Sequence, residues 1–277
     1  MVGARIEQPI GVFDSGVGGL TVLKALQRRL PLEDFLYLGD TARLPYGTKS
    51  AQSITRYALQ AATLLVRQPV KLLVIACNTA SSVALPALHE LFHPLPIIGV
   101  IGPGAEASCK ASVSGAIAVI ATESTVRQGA YNDAISRIRP DASVISVACP
   151  LFVALAEEGW VDGPLVEGII ARYLQPLLII PKPHRIDCLV LGCTHFPVLS
   201  EAIANVVGSE IALVDSAETT AVAVEDKLRS EGLLHDSGRK AGSVHFFATD
   251  GADRFARVGG IFLDKPISPA DVEIVDL

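Results

Sequence analysis

The sequence predicts an α/β protein made of two pseudo-symmetric parallel-sheet units that face each other across a central cleft. Three observations predict it. Short apolar runs alternate with stretches of helical spacing along nearly all of the 277 residues. Several of those runs are apolar throughout rather than at every second position, as strands buried on both faces require. One eight-residue pattern also occurs twice, as LLVIACNT at 72–79 and CLVLGCTH at 188–195.

The elements follow in order. PIGVFD (9–14) is a short apolar run with a polar tip and predicts a strand. LTVLKALQRRL (20–30) has helical spacing. FLYLGD (35–40) is a second strand and SITRYALQAATLLV (53–66) a second helix. KLLVIA (71–76) is a third strand, followed by the helical SSVALPALHELF (81–92). GVIGPG (99–104) is rich in glycine and proline and reads as a crossing point between units. A second series then begins with strand AIAVIAT (116–122), helix TVRQGAYNDAISRI (125–138) and strand ASVISVA (142–148). Two helical stretches span 151–177, before strand DCLVLGC (187–193) and helix VLSEAIANVVG (198–208). Strand IALVD (211–215), a helix to about 231 and strand SVHFFATD (243–250) complete a βαβ rhythm.

Composition narrows the function. Half of the residues are hydrophobic, ample for a substantial core. The net charge is −6 with no basic stripe, so no nucleic-acid partner is expected. No apolar run approaches the ~18 residues of a membrane span. The nearest, 165–180, is interrupted by Glu167, Arg172 and Pro176, so no membrane partner is expected. MVGARIEQPIGVF lacks the apolar segment of a signal peptide, and a cytoplasmic location is the expectation. The five cysteines (77, 109, 149, 188, 193) form no close CxxC pair, which favours free thiols over a disulfide framework. His89, His93, His184, His235 and His245 show no metal-ligand spacing, so no metal is expected. GVGG (16–19) lacks the spacing of either nucleotide-binding glycine loop.

The repeated octapeptide carries the chemistry. Cys77 and Cys193 lie 116 residues apart, and each ends an apolar run and precedes a helix-like stretch. A fainter echo relates VFDS (12–15) to VIATES (119–124). In open parallel sheets, functional groups collect beyond the carboxyl ends of the strands. Two facing units would bring the thiols to one cleft from opposite sides. A helix N-terminus behind each sulfur is expected to favour the thiolate. Cys109, Cys149 and Cys188 lack comparable polar neighbours and read as structural. Asp14 also fits a helix N-cap, His195 a buried structural histidine, Tyr46 a packing role and Asp40 a loop cap. Trp160 reads as a surface or hinge-packing residue.

Five motifs in order, GVFDSGVGGLTV (11–22), YLGDTARLPYGTKS (37–50), VIACNTASS (74–82), ACPLFVALAEEG (148–159) and LVLGCTHFPVL (189–199), extend the pattern over most of the chain. On these residues the chain resembles the glutamate racemases of the cofactor-independent Asp/Glu racemase superfamily. The resemblance implies interconversion of L- and D-glutamate, with no cofactor, supplying D-glutamate for peptidoglycan. It implies Cys77 and Cys193 as the two acid–base residues, assisted by Asp14, Glu157 and His195. Substrate contacts are implied for Asp14, Ser15, Pro45, Tyr46, Gly47, Cys77, Asn78, Thr79, Cys193, Thr194 and His195. The family often has proline where this chain has Ala154, just ahead of Glu157. The resemblance implies a first domain of 1–100 plus 211–277 and a second of 101–210. It leaves a homodimer open. It also leaves open an aspartate racemase or other superfamily racemase, and a non-catalytic ligand-binding regulator on the same scaffold.

The chemistry suits such residues. Racemisation removes the proton from Cα and returns one on the other face, which two fixed bases accomplish without turning the substrate over. The Cα–H of an amino acid is weakly acidic. The site must therefore stabilise charge developing toward the carboxylate with preorganised donors. Asn78, Thr79, Thr194 and Ser15 bring amides and hydroxyls to that task, and no motif holds an arginine clamp.

Overall fold

A computed structural model describes residues 5–181, 185–235 and 241–277, so that His184 lies outside the described residues. In chain order the strands and α-helices are β1 (Ile10–Asp14), α1 (Leu20–Arg29), β2 (Phe35–Gly39), α2 (Ala51–Val66), β3 (Leu72–Ile75), α3 (Asn78–Val83), α4 (Leu85–Phe92) and β4 (Ile97–Gly99). They continue as α5 (Ile101–Ala111), β5 (Ala116–Ala121), α6 (Glu123–Gln128), α7 (Ala130–Ile138), β6 (Ser143–Ala148), α8 (Pro150–Glu157), α9 (Gly163–Leu178) and β7 (Cys188–Gly192). The last are α10 (Ser200–Val207), β8 (Ala212–Asp215), α11 (Ser216–Glu231), β9 (Val244–Ala248), α12 (Ala252–Leu263) and β10 (Val272–Ile274).

The strands form two wholly parallel sheets. One has the order β10-β9-β2-β1-β3-β4, the other β6-β5-β7-β8. The order β2-β1-β3-β4 in the first matches β6-β5-β7-β8 in the second strand for strand. The twofold repeat read from LLVIACNT and CLVLGCTH is therefore a repeat of topology. β3 leads to Cys77 and β7 to Cys193, each beside the central first strand of its unit. β1, β3, β5 and β7 are buried along their whole length, which explains their unbroken apolar character.

The structure departs from the expected elements at places with identifiable causes. GVIGPG does hold a crossing, but as β4 followed by the first turn of α5. Pro103 is tolerated there because first-turn N–H groups have no partner within the helix. The expected helix 125–138 breaks at Gly129, which takes a left-handed φ of 65° between α6 and α7. The expected helix 198–208 opens with a 3-10 turn over Phe196–Leu199. The return crossing expected at 211 comes later, because β8 pairs with β7, Leu213 opposite Leu189, and belongs to the second sheet. The chain returns instead through α11, which packs against α1 and against the other crossing helix, α5. α12 and β10 were not expected. Within α12, Gly259 allows close approach, since a Cβ would lie 2.7 Å from Leu20 Cδ1. Among the described residues, no helix is long and apolar enough to cross a membrane.

Candidate active site

The carboxyl ends of the two sheets meet. Thr79 Oγ1, beyond β3, lies 3.0 Å from Thr122 Oγ1 and 3.2 Å from Thr125 Oγ1, both beyond β5. Thr21 Oγ1 in α1 donates to the Thr194 carbonyl at 2.9 Å. Between Pro45 and Gly47 on one side and Thr122, Val153 and Glu157 on the other lies a cleft of about 310 Å³. It is walled mainly by apolar side chains, as small-ligand sites commonly are.

Each thiol has its own surroundings. Cys77 is the N-cap residue of α3 and accepts from the Ala80 N–H at 3.4 Å. Its Sγ donates to Ser15 Oγ at 3.5 Å. Asp14, the last residue of β1, is fully buried, and its Oδ2 accepts from the Gly16 N–H at 3.0 Å. Its other oxygen, Oδ1, has no protein donor. Burial pushes the Asp14 carboxyl above its ordinary range, against the opposing pull of His195 and of the Gly19, Gly16 and Ser15 N–H groups.

The helix N-terminus was expected to favour the Cys77 thiolate, and here the structure corrects the expectation. Burial first, then the Asp14 carboxylate, push Cys77 up to about 12, outweighing Ser15 and the Ala80 N–H. α3 has only six residues and supplies a small dipole. Burial and Asp14 therefore favour the neutral thiol at Cys77. The Cys193 sulfur is close enough to add to the same push.

Cys193 meets a cation instead. Its Sγ lies 3.8 Å from His195 Nδ1, and His195 Nε2 lies 3.2 Å from Glu157 Oε1. Arg254 Nη2, from α12, donates to Glu157 Oε2 at 2.6 Å. Burial works against charge on the ring, but the bonds to Cys193 and Glu157 prevail and hold His195 up to about 10. Burial likewise pushes Glu157 up, but His195 and Arg254 outweigh it and leave the carboxyl below its ordinary range. The Phe262 ring packs edge-on to His195 at 5.0 Å between centroids. A Cβ on Gly18 would lie 2.5 Å from the same ring. Ala154, where the family often has proline, leaves α8 continuous through to Glu157.

The other expected contacts divide. Pro45 and Gly47 line the cleft. Tyr46 does not. Its ring is buried and its hydroxyl bonds to Asp40, which also holds Arg43 Nε at 2.7 Å. Asn78, Thr79 and Thr194 stand beside the thiols, and Asn78 Nδ2 is buried without a protein acceptor. Of the cysteines read as structural, Cys149 and Cys188 are buried and Cys109 is half-buried. Trp160 is exposed. Sequence reasoning missed Thr122, Thr125, Tyr131 and Arg254. The echo of VFDS in VIATES pointed at Thr122, whereas nothing local to the sequence marks Tyr131 or Arg254.

Chemically, the arrangement offers two sulfurs with unlike partners, a serine and a buried carboxyl near one and an imidazole beside the other. It adds a buried carboxylate oxygen and a buried amide donor, both without protein partners. An orphan acceptor with an orphan donor is the complement of a zwitterion, since one suits an ammonium and the other a carboxylate.

Known proteins resemble this chain in sequence and in fold. The family model described as Asp/Glu/Hydantoin racemase matches residues 11–224. The chain is 50% identical to a glutamate racemase of Geobacter metallireducens over 254 residues, covering 92% of each chain. Among solved structures, a glutamate racemase isoform from Bacillus anthracis superposes with a TM-score of 0.90 at 37% identity, covering 98% of both chains. The glutamate racemase of Francisella tularensis, solved in complex with D-glutamate, superposes at 0.88 with 38% identity and the same coverage.

Proposed function

The chain belongs to the Asp/Glu/hydantoin racemase family, and from that premise we propose that it interconverts L- and D-glutamate by a cofactor-independent mechanism with Cys77 and Cys193 as the two bases. The observation that carries this reading is the placement of the thiols. They end corresponding strands of two repeated sheets, and each has separate partners, Asp14 and Ser15 for one, His195 and Glu157 for the other.

The Cys193 thiolate takes the Cα proton of one enantiomer, and the C–H electron pair flows toward the α-carboxylate. Asn78, Thr79 and Thr194 supply donors for that growing charge, and Asp14 Oδ1 receives the ammonium. Cys77 then delivers its proton to the opposite face. The other enantiomer uses the same residues in reverse. Unlike partners fit this task, because each turnover needs one sulfur protonated and the other not. We further propose that the enzyme works in the cytoplasm, where free thiols persist, and that its D-glutamate feeds peptidoglycan synthesis.

The test is racemisation in heavy water from a single enantiomer of glutamate, with aspartate as the competing substrate. Mass spectrometry of separated enantiomers at low conversion should show product almost fully deuterated at Cα and remaining substrate almost unlabelled. Strong early labelling of the starting enantiomer would mean a single base. Turnover of aspartate in preference to glutamate would reassign the substrate.

A further inference from the structure

Resting on the racemase reading above, we propose that Tyr131 is a positioning residue whose hydroxyl sets the orientation of the Asn78 side-chain amide, holding Nδ2 as a donor for the substrate carboxylate. Tyr131 and Asn78 come from opposite units, Tyr131 from α7 and Asn78 from the first turn of α3, next to Cys77. The Tyr131 hydroxyl donates to Asn78 Oδ1 at 2.8 Å.

A buried phenol O–H must donate somewhere, because leaving it unmade costs about 1–3 kcal/mol. The Tyr131 side chain is almost fully buried. Burial pushes its phenol well above its ordinary range, so the group stays a neutral donor throughout the working pH range. The Ser216 hydroxyl also stands beside the phenol, but the proton goes to the amide oxygen, which turns Nδ2 the other way. That nitrogen is buried beside the thiol with no protein acceptor.

The tyrosine itself has little room to shift. A Cβ on Gly104 would lie 3.1 Å from its hydroxyl, and one on Gly192 would lie 3.0 Å from its Cε2. Two glycines, one on α5 and one ending β7, thus admit the ring flush against backbone. An asparagine amide is nearly symmetric in shape, and the wrong rotamer would present Oδ1 to an anionic carboxylate. A hydrogen bond at one end removes that choice before the substrate arrives, which is the preorganisation that transition-state stabilisation draws on.

The test is a double-mutant cycle on the full-length protein with Tyr131→Phe and Asn78→Ala. Tyr131→Phe deletes one oxygen and keeps the ring. It should lower kcat/KM for glutamate about tenfold, with kcat falling and Tm little changed, as expected for a weakened hydrogen bond to a charge that grows in the transition state. In the Asn78→Ala background the same change should cost nothing further. If Asn78→Ala does not fold, Asn78→Ser takes its place. A fall in Tm with kcat/KM unchanged, or full multiplicative losses in the double variant, would overturn the proposal. A second readout does not depend on glutamate turnover. The Asn78 side-chain amide signals in 15N-labelled protein, assigned by their loss in the Asn78 variant, should shift in Tyr131→Phe. Unchanged signals would overturn the role of Tyr131 whatever the substrate, whereas shifted signals in a protein inert toward glutamate would overturn only the substrate.

Discussion

Replacing Gly18 with alanine should disable the site without changing any of its catalytic residues. A Cβ there would lie 2.5 Å from His195 Cε1 and Nδ1 and 2.5 Å from Thr194 Oγ1. Ordinary contact begins at 3.4 Å, so these atoms must retreat by about 0.9 Å. They have little room to do so. His195 is held by Phe262 on its face and by Glu157 at 3.2 Å, and the Thr194 carbonyl is bonded to Thr21. Gly18 is not among the positive-φ glycines, so the penalty is steric rather than a backbone conformation alanine cannot adopt. Misplacing catalytic groups by about 1 Å costs on the order of 100-fold, and overpacking a tight site costs about 1–3 kcal/mol of stability. Gly18→Ala should therefore lower kcat/KM about 100-fold, read by circular dichroism from either enantiomer, with a modest drop in Tm. Gly168→Ala is the control. It lies exposed inside α9 with no atom within 4 Å of an added Cβ. It should keep full activity and gain about 0.5–1 kcal/mol from helix propensity. A Gly18→Ala enzyme with kcat/KM within threefold of wild type would refute the reasoning that these contacts hold the His195 geometry.

Three further outcomes are expected. Cys77→Ala and Cys193→Ala should each lose orders of magnitude in turnover, whereas Cys109→Ala should cost about 1 kcal/mol of stability and little activity; equal catalytic losses at all three would argue against the pair. The charge on His195, held up to about 10 against an ordinary 6.5, contributes stability that is complete below pH 6.5 and lost as pH rises through 10. Melting curves of wild type should accordingly fall more steeply than those of His195→Gln between pH 8 and 10.5, and parallel curves would contradict the pairing. Arg254→Met should lower kcat about tenfold through Glu157 and His195, with under about 1 kcal/mol lost in stability because Arg254 is half exposed; unchanged kcat would remove Arg254 from the relay.

Much of this architecture is legible in the chain because its central strands are buried on both faces. VIAC and VLGC are apolar without alternation, so their register in the sheet hardly matters to reading them, and the cysteine after each is conspicuous. What stayed hidden depends on approach in three dimensions. Pro103 and the glycines around it look like a break, yet they begin a helix that carries the chain between sheets. Gly259 looks like a helix breaker, yet it is the point where α12 meets Leu20. Tyr46 sits between two cleft residues and still turns inward to Asp40, a choice made by a partner six positions away. The charge of Cys77 was read from its helix terminus alone, whereas burial and Asp14 decide it. Arg254 and Tyr131 reach the site from elements distant in sequence, and no local pattern announces a contact across 97 or 53 positions.

The unlike neighbours of Cys77 and Cys193 carry a kinetic obligation. Mirror-image amino acids have equal free energies in water, so their equilibrium constant is one and kcat/KM must be identical in the two directions, whatever stands beside each sulfur. A difference between a thiol beside a carboxylate and one beside an imidazolium can therefore surface only as a paired difference, with kcat and KM scaled together between the enantiomers. Each turnover also leaves the proton on the sulfur opposite to where it began. Before the same enantiomer can react again, the protein must restore its starting form, and with Cys77 and Cys193 only 4% and 5% exposed that exchange passes through a nearly closed site. At high substrate concentration this resetting becomes a step of the cycle in its own right. The inequality of the two saturating rates is then a direct reading of how unequally the resting protein shares one proton between its two halves.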